Sequence, residues 1–574
     1  MREEIKKIVK KAIKDFLKET PDFSIEVPGE RSYGDYSTNV ALVLAKKISK
    51  NPIETASQIK EKIEKSSLFT KIEVAGPGFI NFFIADKVFT DNLKNIDKNY
   101  GKGKELKNKK AKSSERGRRI IVDYTDPNIL KEFHIGHLSS NAVGESLCRI
   151  FEFQGAKVKR VCYQSDVGIS VAKAVWGILQ NKDNLPKDTA PLSEKIKFLG
   201  LSYVQGSKMY ESDEKAKKEI IILNKKIFEK SDKDINKLYK KGKKWSLEHF
   251  DELYKKLGTK FDYLIFESEV SDLGKKIVEK GLKKGIFEKG DNGAIIFKGE
   301  KYGLHTRVFI NSEGLPTYEA KDLGLAEIKY KKYAYDRSII VTGNEVNEYF
   351  RVMLCAMGKI NPDLAKKTKH IGHGMLRLPE GKMSSRTGNV ITGESLIEKV
   401  EELVRDKIKD RDLSEKERLE IIQSVAVGAL KYSILKQSIG SDIIYDFDKS
   451  ISFEGDAGPY LQYSYARAMS VLRKANSEKI KASFKKIPNE ISLVEKMMYY
   501  FPEVVEKAGK EYQLHYIITY LTELAGAFNS YYAKNKIVDK NDVFSPYKIA
   551  LTSALATIMK NGMWLLGIEA LNKM

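Results

Sequence analysis

The stretch Ile120 to Phe153, IIVDYTDPNILKEFHIGHLSSNAVGESLCRIFEF, constrains the fold more than any other part of the chain. Ile120 to Tyr124 is a short apolar run with β-branched residues. Asp126-Pro127-Asn128 carries turn chemistry, and Ile135, Leu138, Ala142, Leu147, Ile150 and Phe151 recur at helical spacing. The reading is a strand, a turn and a helix. The turn delivers His134 and His137 to the first helical turn, three residues apart and on one face, with Gly136 between them giving close backbone access. Unpaired N–H groups and the positive end of the helix dipole gather at the same place. Two imidazoles over a helix N-terminus, behind a strand, suit a polyphosphate. A bare His-x-x-His also serves as a helix cap or a satisfied core polar pair. Zinc would need further ligands, and no Cys or Glu stands beside the pair as in a His-Glu-x-x-His helix. No metal site is expected.

A second motif stands far downstream: Gly381-Lys382-Met383-Ser384-Ser385-Arg386-Thr387-Gly388-Asn389. It is a polar, glycine-bounded loop whose lysine, hydroxyls and arginine can embrace phosphate oxygens. Together the two motifs resemble the active-site signatures of class I aminoacyl-tRNA synthetases. Within that class, DYTDPNILKEFHIGHL, GLPTYEAKDLGLA, RLPEGKMSSRTGNVI and ISFEGDAGPYLQYSYARAMSVLRKA resemble the arginyl-tRNA synthetases, with similar segments from near residue 26 to Met574. His370-Ile371-Gly372-His373 repeats the letters of the first motif without its Pro-Asn turn or a helical period behind it. It reads as strand or loop leading into the lysine loop.

At 574 residues the chain has room for three or four domains, and its 42% apolar content suffices for ordinary cores. The net charge of +23 attracts polyanions and predicts salt-sensitive binding, although a lysine-rich solvated surface gives the same count. Three cysteines, Cys148, Cys162 and Cys355, without Cys-x-x-Cys spacing argue for a reducing compartment and against structural zinc. The N-terminal MREEIKKIVKKAIKDF is amphipathic and too charged for secretion or membrane spanning, so a cytoplasmic protein with no membrane partner is expected.

The expected fold is multidomain, α/β plus all-α. Residues 1–105 form a small N-terminal α/β domain and 106–119 a linker of glycine, lysine, serine and arginine. Residues 120–391 form a Rossmann-type parallel-sheet domain, with a charged helical insertion at about 174–297, and 392–574 a helical bundle. The sheet is expected to resume near Ala294 to Phe297 and to continue through Gly314 to Leu323, and the chain to be helical from Thr392 onward. The resemblance implies that the sheet domain is catalytic and that the bundle binds the anticodon. It also implies that the N-terminal domain reaches the D-loop corner of tRNA through Phe79 and Asn81, against a core role for Phe79.

A guanidinium has five donors and keeps its charge, so an arginine pocket needs carboxylates and acceptors in plane. Tyr318 and Asp322, four apart, share a helix face. The resemblance maps arginine binding to Asp123, Asn128, Tyr318 and Asp322. Glu345 is the candidate for the last wall, where Gly343-Asn344-Glu345-Val346 departs from the glutamine of relatives. It maps ATP binding to Gly136, His134, His137, Lys382, Ser384 and Ser385, with catalysis by His134, His137 and Lys382 and a share of the phosphate work for Lys131. tRNA contacts fall on Tyr460, Arg467, Asn529, Tyr532 and Met574 as well. The implied reaction joins L-arginine to the 3′ end of tRNA(Arg) through arginyl-adenylate, with release of pyrophosphate, and requires bound tRNA for arginine activation. Mg2+ would enter with ATP and have no dedicated site; no zinc and no editing domain are expected, and the protein would be a monomer. Another class I synthetase, an RNA-binding relative without catalysis, and a small nucleotidyltransferase are the competing readings. The first, if a cysteine enzyme, would need a zinc-binding cysteine set, the second predicts decayed phosphate motifs, and the third would not need the helical bundle.

Overall fold

Apolar strands separated by long helices pair in parallel, because a crossover has to return along the full length of a strand. The computed structural model describes residues 1–17, 19–63, 66–103, 115–377 and 392–574. Its main sheet has five parallel strands. Arg119–Asp123 is central, flanked by Arg337–Gly343 and Lys157–Gln164, with Thr368–His373 and Tyr263–Phe266 on the edges. The chain leaves the central strand towards one edge and returns on the other side of it. The carboxyl end of Arg119–Asp123 therefore lies at a topological switch point, where open α/β sheets leave a crevice. Ile121, Val161, Ile265 and Ile340 from the strands pack with Val270, Val278, Leu323 and Met353 from the covering helices.

The Ile135–Phe153 helix, called the histidine helix below, follows the central strand. Gly144 allows it to lie close to that strand's exit: a Cβ there would sit 2.2 Å from the Tyr124 ring. The other face of the helix is fixed by ions. Glu145 accepts from Tyr124 Oη at 2.6 Å and from Arg149 and Arg160 at 2.7 and 2.9 Å, so a buried carboxylate is matched by two guanidinia.

Three expectations are corrected. The 174–297 stretch does contain long charged helices, Leu192–Ser212, Glu214–Glu229 and Lys233–Lys256, but Tyr263–Phe266 inside it is an edge strand of the parallel sheet. Four residues on an edge, two of them half-buried and one exposed, leave too short an apolar run to stand out. Ile295–Phe297 and Arg307–Ile310 do not continue the parallel sheet; with Glu288–Lys289 they form a separate antiparallel one. The region after Thr392 is not wholly helical, since Ile443–Ile444 pairs in parallel with Leu376–Arg377.

The remaining elements fall into two compact units. One comprises Met1–Ile96 with Lys481–Tyr499 and Asp539–Ala554; the other holds the rest. The first has an antiparallel sheet of Ile25–Glu26, Tyr36–Thr38, Phe79–Ile84 and Phe69–Ala75, covered by Arg2–Ala12, Val40–Ile48 and Pro52–Ile63. Two late segments join this unit because their side chains close it: Tyr499 meets Phe89 edge to face, with centroids 5.3 Å apart. The second unit carries the main sheet and the helices Glu415–Leu435, Gly458–Ser477 and His515–Lys534. Among the described residues no helix is long and apolar enough to cross a membrane.

Candidate active site

The turn from Tyr124 to His134 holds three non-glycine residues at positive φ: Thr125 at 82°, Asp126 at 46° and Leu130 at 60°. Such backbone is strained by about 1–3 kcal/mol per residue and persists where its surroundings over-determine it. Here they do. Thr125 N donates to Ser140 Oγ at 3.0 Å, and Asn141 donates to Thr125 Oγ1 at 3.0 Å. Asp126 Oδ1 accepts from Tyr163 N at 2.8 Å, and Leu130 N donates to Ser246 Oγ at 2.9 Å. The turn is thus clamped by the histidine helix, the Lys157–Gln164 strand and the Lys233–Lys256 helix.

His134 is the N-cap of the histidine helix, and its Nδ1 accepts from Gly136 N at 3.1 Å. His137 Nδ1 accepts from His134 N at 3.2 Å, closing a reciprocal cap in which imidazoles replace the usual hydroxyl and carboxylate. The rings stack with centroids 3.5 Å apart. A Cβ on Gly136 would press within 3.0 Å of the His134 ring, so glycine there keeps the pair in register. Each Nδ1 accepts a backbone proton, so in the neutral ring the proton sits on Nε2. Burial, with the nearby Lys131 ammonium, brings His134 down to about 4; burial, His134 and Lys131 hold His137 well below the ordinary range. The site therefore offers two neutral Nε2–H donors beside a cation. Lys131 is half-buried, with its ammonium 4.8 Å from the Tyr203 ring centroid. Thr392 pairs with His134 as an isolated antiparallel bridge, so the described chain resumes after residue 391 against the histidine turn. Lys382, Ser384 and Ser385 lie outside the described residues.

Beneath the turn lies a carboxylate cluster. Asp123 ends the central strand, 1% exposed, and takes Lys329 Nζ on Oδ2 at 3.0 Å. Asp322, seven residues before Lys329 on the Tyr318–Lys332 helix, accepts from Tyr349 Oη at 2.5 Å. Glu267 pairs with Lys321 at 2.5 Å. Burial pushes Asp322 up to about 7; Tyr349 and Lys329 pull it down, and Asp123 and Glu267 push it further up. Burial and then Asp123 push Asp126 well above the carboxylate range. Four carboxylates face two ammonium groups, and burial pushes three of the carboxylates, Asp126, Asp322 and Glu267, above their ordinary range, which favours a further cation. Such a cluster can hold a guanidinium.

The structure brings Asp123 and Asp322 together, with Tyr318 on the same helix end, its ring exposed and its side chain beside Lys321 and Glu267. Asn128 is half-buried in the turn. Glu345 is exposed; its described neighbours are Gly343 and His373. Sequence reasoning missed Lys329, Glu267, Tyr349 and Asp126. The i, i+7 spacing of Asp322 and Lys329 was a usable signal, whereas Glu267 and Tyr349 arrive from distant segments. His370-Ile371-Gly372-His373 is an edge strand, as read: His370 stacks on Phe350 and bonds Thr342 Oγ1 at 2.7 Å.

In the helical region, four of the expected RNA-contacting residues meet. Arg467 donates to Asn529 Oδ1 at 2.6 Å and lies over Tyr532 at 5.3 Å, while Asn529 donates to Tyr460 Oη at 3.0 Å. This is a guanidinium and amide set among tyrosines, able to stack and bond an unpaired base. In the N-terminal unit Phe79 is 39% exposed, which corrects the competing core reading. Asn81 is 4% exposed and accepts from Ser37 Oγ at 2.7 Å, so it is a buried group and not the surface contact expected. Alternation on the strand turns residue 81 to the same face as 79, and Ser37, directly across from it on the neighbouring strand, takes up its amide oxygen. Met574 is half-buried.

Three family profiles match: "tRNA synthetases class I (R), catalytic domain" over residues 104–447, "DALR anticodon binding domain" over 461–574 and "Arginyl tRNA synthetase N terminal domain" over 3–84. An arginine–tRNA ligase of Fusobacterium nucleatum is 32% identical over 565 residues, spanning 97% of this chain and 96% of that protein. One of Clostridium perfringens is 30% identical over 585 residues, spanning 99% of this chain and 100% of that protein. The fold is that of the Plasmodium falciparum arginyl-tRNA synthetase structure, with a TM-score of 0.78 at 22% identity over 100% of this chain and 99% of that one. The Thermus thermophilus arginyl-tRNA synthetase gives a TM-score of 0.77 at 21% identity over 100% of both chains.

Proposed function

The chain belongs to the arginyl-tRNA synthetase family and is a class I arginine–tRNA ligase, and from that premise we propose how its residues divide the work. Arginine binds with its guanidinium in the Asp123, Asp322 and Tyr318 cluster and its amino and carboxylate groups near Asn128. Its carboxylate attacks the α-phosphorus of ATP, pyrophosphate leaves, and the adenylate is transferred to the terminal ribose of tRNA(Arg). A carboxylate is already nucleophilic, so the site positions the reactants and stabilises charge growing on phosphate oxygens. The observation that carries this reading is the stacked pair His134 and His137, each with Nδ1 taken by a backbone N–H so that Nε2 is left to donate, at the end of the turn whose Asp126 belongs to the acidic cluster. Lys131 adds charge near the β- and γ-phosphates, a task it shares with Lys382, Ser384 and Ser385.

The class uses ATP, and magnesium neutralises part of the triphosphate charge. Among the described residues, His134, His137 and Lys131 at the phosphate end donate hydrogen bonds, and the magnesium enters with the nucleotide. Tyr460, Arg467, Asn529 and Tyr532 receive the anticodon, and Phe79 stacks on the tRNA corner. The enzyme works as a cytoplasmic monomer; the cysteine usage and charge support the compartment.

The test is arginine-dependent exchange of pyrophosphate into ATP. Exchange should require arginine and tRNA together and collapse in Lys382→Ala. Tight tRNA binding without exchange under any condition would replace the enzyme with an RNA-binding protein.

Arginine recognition should depend on pH through Asp322. A guanidinium prefers the ionised carboxylate, and in the free enzyme that carboxylate is protonated below about 7. The arginine KM should therefore fall about tenfold from about pH 6 to about pH 8 and then level, with a proton released on binding at the acid end. The histidines stay neutral throughout that window, so they contribute no limb. Calorimetry in buffers of different ionisation enthalpy would expose the proton; a flat profile would remove Asp322 from the pocket.

A further inference from the structure

The carboxylates of the pocket are not equivalent. Asp123 gives one oxygen, Oδ2, to Lys329, and both side chains are at most 2% exposed. Its other oxygen, Oδ1, is buried and has no hydrogen-bond partner among the described residues. The hydroxyl of Tyr163, from the adjacent strand, is likewise buried without a hydrogen-bond partner among the described residues. Two orphaned polar atoms in one acidic cluster mark a place where a polar ligand belongs, because unmet buried groups are rare in native proteins. Lys329 itself is shielded from solvent, so a lysine here serves the inside of the pocket and not the surface.

We propose that Lys329 is a positioning residue for the substrate: it anchors Oδ2 so that Asp123 presents Oδ1 alone to the arginine guanidinium. This rests on the arginine-pocket reading above. An unpaired aspartate at this depth would take up a proton, and its orphan oxygen would then compete as a donor with the guanidinium it should receive. The groups facing Asp123 are Lys329 and Asp322 from the Tyr318–Lys332 helix, Asp126 from the turn, and Cys162 and Tyr163 from the Lys157–Gln164 strand. Of these Lys329 is the cation, so its removal leaves three acids together with no ammonium among them. Burial works against the Lys329 ammonium, but Asp123, Tyr335 and Asp322 outweigh it, so it remains charged through neutral pH.

The experiment measures arginine KM and kcat for aminoacylation by the full chain at several pH values, in Lys329→Met and Lys329→Arg, with Asp322→Asn as a control for the pocket. In Lys329→Met the arginine KM should rise at least about tenfold at about pH 6.5. The difference should shrink to within about threefold at about pH 8.5, with the ATP KM unchanged. Lys329→Arg keeps the charge and should retain both the KM and the pH profile. If Lys329→Met does not fold, Lys329→Gln supplies a neutral donor of similar reach and should show the same acid-side rise. A rise of equal size at every pH, or no rise, overturns the positioning role. If Asp322→Asn also leaves the arginine KM unmoved, the pocket reading itself fails; if Asp322→Asn raises it and the Lys329 variants do not, the Lys329 proposal alone fails.

Discussion

Replacing Asp322 by asparagine is expected to raise the arginine KM about a hundredfold while leaving the ATP KM within about twofold. The substitution keeps shape and an oxygen acceptor for Tyr349, whose hydroxyl donates to Asp322 Oδ2 at 2.5 Å, so the pocket should stay folded. What disappears is the charge. Asp123 and Glu267 each have an ammonium hydrogen-bonded to them already, Lys329 and Lys321, which leaves Asp322 with a phenol as its hydrogen-bond partner. Truncating one partner of a buried, hydrogen-bonded charge pair removes about 2–5 kcal/mol, and about 3 kcal/mol is a factor of roughly a hundred. The same variant should lose the pH dependence of arginine binding. Steady-state aminoacylation with arginine and ATP varied separately is the measurement. A change of less than about threefold in the arginine KM, or an equal change in both, would place the guanidinium elsewhere.

The second large effect is expected at His137. Its Nδ1 closes the helix cap by accepting from His134 N, and its Nε2–H is left as the donor. Asparagine can keep the first contact but not reach the second, whereas glutamine reaches the second and gives up the first. His137→Asn should therefore unfold at nearly the wild-type temperature while kcat for arginine activation falls by about 10²–10³, the loss of one donor worth about 2.7–4 kcal/mol in the transition state. His137→Gln should lose only about tenfold in kcat. Single-turnover adenylate formation, read beside thermal unfolding, separates the two functions. Equal losses in both variants, or losses that follow stability, would make His137 a cap and nothing more.

The chemistry at the end of the central strand was legible because it is local. His134, Gly136 and His137 lie within one helical turn, and a Pro-Asn turn before a helical period places them without any knowledge of the rest. The same holds for Tyr318 and Asp322. The edge strand Tyr263–Phe266 was not legible: it is short and half-exposed, and only the neighbouring Lys157–Gln164 strand makes it a strand. Asn81 looked available because strand alternation gives a face but not its burial or its cross-strand partner, which is Ser37.

The sequence by itself determined the family, the order of strand, turn and helix, and the gathering of His134, Gly136 and His137 at the helix start, since each follows from residues a few positions apart. The tertiary structure decided which carboxylates are free. Asp123, Glu267, Lys321 and Lys329 come from separate elements, and a charge 206 residues away in sequence sets whether Asp123 offers one oxygen or two. Spacing along the chain carries no record of such pairs, because burial and distance, which fix their energies, arise only when the sheet and its covering helices close.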